Sequence, residues 1–126
     1  MKLQNSLFTI VSHSADEALH DFTIRLDANH FIYQAHFPGE PITPGVCILQ
    51  MAVELMEVAV SRSLEVKCVK NVKFLRIISP KEVTEVSYTL QKLTVEDNTI
   101  KSQITVSAGD VVYAKLSLVC EAEAQI

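Results

Sequence analysis

A chain of 126 residues supplies apolar material for one core and not two, since single domains commonly run to roughly 100–150 residues. Hydrophobic residues at 48% against 21% charged exclude a disordered chain, and a formal charge of −4 excludes the overall positive field of a nucleic-acid binder. There is no run of roughly 20 apolar residues to span a bilayer, and the apolar run in MKLQNSLFTIVSHSADE is too short for a secretory signal, so one cytoplasmic domain over 1–126 without a membrane partner is expected.

In chain order, Phe8 to Val11 and then Phe22, Ile24 and Leu26 read as two short strands, with the polar run Ser12 to Glu17 joining them into a hairpin. Prolines at 38, 41 and 44 punctuate the next segment. Thr43 followed by Pro44 predicts a helix start, with threonine capping the free amides and proline tolerated at the first helical position. The helix runs to about Val60, and its residues are apolar on nearly every face, so it must be enclosed.

Beyond it, Val66 to Ile78, Val83 to Leu93, Thr99 to Ser107 and Val111 to Cys120 read as strands. Ser79-Pro80, Glu96-Asp97-Asn98 and Ala108-Gly109-Asp110 supply turn chemistry between them. One apolar helix with a hairpin before it and consecutive strands after it predicts an α+β arrangement, an antiparallel sheet wrapped around one long central helix. A lone sheet of this size leaves edges, which predicts pairing with a second copy.

The three cysteines, Cys47, Cys68 and Cys120, lack Cys-x-x-Cys spacing or a nearby histidine at ligand spacing. They read as buried thiols in a reducing compartment, with no metal site. His13, His20 and His30 have no motif around them and read as surface or strand residues. Six of the eleven basic residues, Arg62, Lys67, Lys70, Lys73, Arg76 and Lys81, fall between 62 and 81. Lys67 and Lys73 alternate out of phase with Lys70 and Arg76, so one regular strand cannot display all four.

The segment His36-Phe37-Pro38-Gly39-Glu40-Pro41-Ile42-Thr43-Pro44-Gly45-Val46 carries the chemistry. Its prolines stiffen a loop bearing His36, and Gly45 lets a ligand approach backbone amides at the start of an apolar helix, where the dipole favours negative charge.

The pattern His-Phe-Pro-Gly-x-Pro-x-x-Pro-Gly-Val leading into a hydrophobic helix resembles the active-site motif of the 3-hydroxyacyl-acyl carrier protein dehydratases, whose fold is the hot-dog. Val72 to Arg76 followed by Ser79-Pro80 resembles that family's strand after the helix, and the likeness continues to Cys120. The resemblance implies that His36 takes the α-proton of an acyl thioester and that the Gly45 amide holds the thioester carbonyl. Phe37, Pro38, Gly39, Pro44 and Val46 would line the substrate site.

The same resemblance implies a helix carboxylate at position 50 that protonates the departing hydroxyl, but residue 50 is Gln50. Glu54 lies one turn further on, where the family often has glutamine, so acid and amide stand exchanged at i and i+4. Either Glu54 supplies the carboxyl, or Gln50, Glu54, Glu57 and Ser61 form a polar stripe facing a dimer seam or solvent.

Lys73 and Arg76 are the candidates for meeting an acidic carrier protein and the phosphate of its pantetheine arm. The expected activity is dehydration of 3-hydroxyacyl thioesters on acyl carrier protein or coenzyme A, in fatty-acid or related lipid or polyketide synthesis, without a cofactor and in a homodimer or a hexamer of three dimers. The alternatives are an acyl thioesterase, or a non-catalytic acyl- or carrier-binding subunit beside an active homologue.

Overall fold

The apolar run from Gly45 to Val60 forms the long helix, α2, around which the other elements are arranged. The computed structural model describes residues 2–123, so residues 1 and 124–126 lie outside the described part. Before α2 come strands β1 (Phe8–Asp16) and β2 (Leu19–Leu26) and a single helical turn, α1 (Ile32–Ala35). After it come β3 (Leu64–Phe74), β4 (Glu85–Glu96), β5 (Thr99–Ala108) and β6 (Val111–Ala122). The six strands form one sheet in the order β1-β2-β4-β5-β6-β3, with every neighbouring pair antiparallel. This is the α+β hot-dog arrangement.

Period-two alternation decides which face of each strand meets the helix. Val86, Tyr88 and Leu90 of β4, Ile100 and Ile104 of β5, and Leu116 and Leu118 of β6 are buried on one face. Against them stand Cys47, Ile48, Met51, Ala52, Leu55 and Met56 of α2, all buried as well. The phenol of Tyr88, fully buried, donates to the carbonyl of Ile48 at 3.0 Å and pins the sheet to the first half of the helix.

Several boundaries differ from the sequence reading. The polar run after Val11 is strand and not connection, because backbone pairing of Ser12 through Asp16 with β2 holds it there although its side chains are exposed. The turn itself is Glu17-Ala18, with Glu17 at φ 51°. β3 stops at Phe74 instead of reaching Ile78: the amides of Leu75 and Arg76 both turn to the Tyr113 carbonyl, at 2.8 and 3.2 Å. The turn α1 was not foreseen, since four residues carry no periodicity.

Thr43 does not cap α2. Pro44 is the extended residue preceding the helix, and its carbonyl accepts from the amides of Cys47 and Ile48 at 3.0 and 3.1 Å. The Thr43 hydroxyl is buried against the phenol of Tyr33, 2.9 Å away, and is therefore not available to the helix. Cys47 and Cys120 are buried, whereas Cys68 is exposed beside a register shift in the edge strand β3, so the expectation of three buried thiols fails there. Among the described residues no helix is long and apolar enough to cross a membrane.

Replacing Tyr88 with Phe removes one buried hydrogen bond without opening a cavity. The expected loss is about 1 kcal/mol, read as a lower midpoint with an unchanged slope in urea unfolding.

Candidate active site

His36 follows α1 directly, and its loop is clamped from several sides. The His36 amide donates to Ile32 at 3.0 Å, and its carbonyl accepts from the amide of Ile42 at 2.8 Å. Phe37 and Glu40 exchange backbone hydrogen bonds of 3.0 and 2.9 Å across a tight turn in which Gly39 adopts φ 81°, a conformation that suits glycine. Thr43 donates its amide to the Ile78 carbonyl at 2.9 Å, and Lys81 Nζ donates to the Gly39 carbonyl at 2.8 Å. The imidazole itself is exposed and stands edge-to-face with the Phe37 ring, with centroids 5.5 Å apart. Among the described residues no polar group hydrogen-bonds it.

Beside the helix start lies a cavity of about 370 Å³ between Gly45 and the chain that follows β3. Ile42, Ile48, Phe74, Ile77 and Ile78 make most of its wall apolar, and Arg76 is its charged member. Gly45 is demanded here by a neighbour. A Cβ at this position would stand 2.9 Å from Cζ of Phe74, so the ring lies directly over the glycine. The amides of Gly45 and Val46 have no acceptor among the described residues, as expected of a first helical turn, and they leave donors for an oxygen that reaches this point.

Gln50 and Glu54 do not open onto that cavity, and neither does His36. Glu54 is 1% exposed, and both carboxylate oxygens are engaged. They accept from the Leu3 amide at 3.0 and 2.8 Å, from the Gln4 amide at 2.8 Å and from Nε2 of Gln50 at 2.9 Å. Glu57 accepts from Lys2 Nζ at 2.7 Å and from the Leu64 amide at 2.9 Å. The polar stripe expected to face solvent or a second copy is thus largely covered by the chain's own residues 2–4 and the start of β3. Most of those contacts are made by the backbone amides of Leu3, Gln4 and Leu64, which no side-chain pattern announces.

The remaining candidates fall in two places. Phe37, Pro38 and Gly39 are exposed on the histidine loop, and Val46 is exposed on the first turn of α2, while Pro44 and Gly45 border the cavity. Lys73 is exposed on β3, in register with Lys115, and Arg76, also exposed, lines the cavity. Phe74 was not singled out from the sequence as a site residue, because its contact with Gly45 joins positions far apart in the chain. Burial pushes the Cys47 thiol up and the Cys120 thiol up to about 11, so neither offers a thiolate near neutral pH. Among the described residues no three His, Cys, Asp or Glu side chains stand close enough to hold a metal ion.

A sheet rolled around one apolar helix, with a clamped histidine loop and an apolar cavity at the helix start, defines a hot-dog protein with a dehydratase-type motif. The chain belongs to the ApeI-like family, described as ApeI dehydratase, whose model matches residues 12–115. A 3-hydroxyacyl-acyl-carrier-protein dehydratase FabZ from Latilactobacillus sakei is 32% identical over 100 residues, covering 74% of this chain and 71% of the relative. Among solved structures, the dehydratase heterocomplex ApeI:P from Xenorhabdus doucetiae superposes with a TM-score of 0.70 at 12% identity, covering 89% of this chain and 96% of that one. A thioesterase from Haemophilus influenzae does so with a TM-score of 0.66 at 14% identity, covering 94% and 80%. These structural likenesses establish the fold alone.

Two substitutions test this geometry. Gly45→Ala should cost about 1–3 kcal/mol by displacing the Phe74 ring, and the cost should shrink in a Phe74→Ala background in a double-mutant unfolding cycle. Glu54→Ala should cost about 1–3 kcal/mol by stranding the Leu3 and Gln4 amides, with faster amide exchange at residues 3 and 4.

Proposed function

We propose that this chain is a cytoplasmic dehydratase subunit that acts on 3-hydroxyacyl thioesters of acyl carrier protein or coenzyme A, with His36 as base. The observation that carries the reading is the clamped His36 loop leading into a helix start whose amides border an apolar cavity. The thioester carbonyl would sit at the Gly45 amide and the acyl chain in the cavity, with Arg76 at its edge facing the phosphate of the pantetheine arm. His36 takes the α-proton, and the electron pair moves onto the carbonyl oxygen, where the helix-start donors stabilise it. When the carbonyl re-forms, the double bond forms between the α and β carbons and the β-hydroxyl departs, taking a proton to leave as water.

That last proton is the open requirement within one protomer. Gln50 has none to give as an acid, and Glu54 is enclosed by the amides of residues 3 and 4. We therefore infer that a second protomer supplies the acid and covers the exposed His36. The edge strand β3 favours such pairing, since among the described residues its outer side has no strand partner and Phe74, Leu75 and Ile77 stand exposed at or just after its end. The second protomer is a further copy of this chain in a homodimer or hexamer, or a different subunit of the kind that the name of the ApeI:P heterocomplex describes for that protein. Enclosure of Glu54 counts against the thioesterase alternative, which needs a carboxylate to direct water.

The test is formation of the 2-enoyl product from a 3-hydroxyacyl carrier substrate. His36→Ala should lower turnover by roughly 10²–10⁴-fold, and a wild type no faster than that variant would defeat the proposal. In the exchange variant Gln50→Glu with Glu54→Gln, the chain alone should gain turnover, because a carboxyl then stands at the position the dehydratase motif uses. Release of free thiol in place of enoyl product would point to hydrolysis instead.

A further inference from the structure

The hairpin of β1 and β2 carries two histidines that the function proposed above does not use. His20 lies two residues before Phe22 on β2 and pairs with the buried Leu90 of β4, so it stands on the inward face of the sheet. His13 pairs with Phe22 across the hairpin, which puts it on that face as well. The register thus brings two imidazoles together although no motif surrounds either one, and His13 Nε2 and His20 Nδ1 are 2.9 Å apart.

Phe22, which is fully buried, is the platform beneath both rings. His13 stacks on it with centroids 4.0 Å apart and planes 14° from parallel, and His20 lies 17° from parallel to it at 6.4 Å. The two imidazoles are 28° from parallel to each other, with centroids 5.2 Å apart. A core residue therefore sets their orientation. His30 is engaged differently, its Nδ1 accepting from the Ile32 amide, and His36 belongs to the loop before the helix.

As neutral rings the pair shares one hydrogen, one nitrogen donating and the other accepting. The spacing also fits a cation. Two imidazole nitrogens bound about 2.0–2.1 Å from one metal ion stand about 2.9 Å apart when they subtend a right angle, and about 3.4 Å apart in a tetrahedral arrangement. The separation of 2.9 Å matches the right angle, the geometry of tetragonal copper(II) and nickel(II), so the strands need not move. An outward tilt of the rings, for which the exposed His13 has room, aims both lone pairs at one ion. The shared hydrogen then passes to the other nitrogen of its own ring, so both imidazoles stay neutral and no proton is lost. Burial and the neighbouring His13 lower the pKa of His20, so near neutral pH this ring has no second proton to keep a cation out. Asp21, next to His20, faces the other side of the sheet and accepts from the Thr89 hydroxyl at 3.1 Å. A donor set of nitrogen alone does not suit magnesium or calcium.

We propose that His13 and His20 form a two-histidine site for a divalent cation of tetragonal preference, copper(II) foremost, with water in the remaining positions. Copper(II) binds such nitrogen donors more tightly than the other divalent first-row ions. Among the described residues no third His, Cys, Asp or Glu joins the pair, and the exposed His13 leaves the ion open to water. A bound ion would staple β1 to β2 and leave the His36 loop untouched.

The experiment titrates copper(II) into the full chain at neutral pH in a Cys68→Ser background, so that the exposed thiol neither binds nor reduces the metal. The chain should take up one equivalent, its electron paramagnetic resonance spectrum should show coupling to two imidazole nitrogens, and its thermal midpoint should rise with copper concentration. His13→Phe keeps an aromatic ring over Phe22 while removing the nitrogens, and His20→Gln removes the other ligand and serves alone if the first variant fails to fold. Each should weaken binding roughly tenfold or more and abolish the two-nitrogen coupling, whereas His36→Gln should change neither. Nickel(II) should bind the same pair more weakly. Undiminished uptake by His13→Phe and His20→Gln overturns the proposal, as does uptake lost only in His36→Gln. A chain that takes up no copper, or whose spectrum shows coupling to fewer than two nitrogens, overturns it as well.

Discussion

The arrangement depends on one constraint: a sixteen-residue helix that is apolar on almost all sides cannot be left in water. A single flat sheet covers one side of such a helix, so the sheet must curl, and the inward residues of β4, β5 and β6 supply the concave surface. The few polar positions of α2 then have to be satisfied by something other than solvent. Glu54 meets that need with the backbone amides of Leu3 and Gln4, and Glu57 with Lys2 and the amide of Leu64. The helix thus collects the beginning of the chain as well as the sheet.

The same enclosure leaves one end of α2 accessible. At the start, Gly45 and Val46 present amides without an acceptor among the described residues, and the chain after β3 bends away to leave an apolar cavity beside them. Phe74 rests on Gly45 because that residue has no side chain, which links the end of the edge strand to the helix start. The histidine loop is tied down by the bonds of Thr43 to Ile78 and of Lys81 to Gly39. The histidine loop runs directly into the helix start with its donors and apolar cavity, and Phe37, Val46, Leu75 and Ile77 are exposed on these segments, surface that favours a cover.

The amide at position 50 and the carboxylate at position 54 have a structural role in the protomer. With the carboxylate at 54, its charge is taken up inside the protomer by amide donors, and Gln50 is held by the same group. This helix uses its carboxylate to secure the backbone of residues 3 and 4. That engagement is why a second protomer belongs to the functional reading.

Much of this was legible in the residue order. The all-round apolar helix, the hairpin before it, the strands after it and the motif from His36 to Val46 are local patterns, and short-range sterics and hydrophobic periodicity suffice to read them. The tertiary structure alone decided the rest. It turned Thr43 from a helix cap into a partner of Tyr33, placed Phe74 over Gly45, and brought the amides of residues 3 and 4 to Glu54. Each of these joins groups distant in sequence, often through backbone atoms that every residue shares, so nothing in the order of side chains could signal the meeting before the chain had folded.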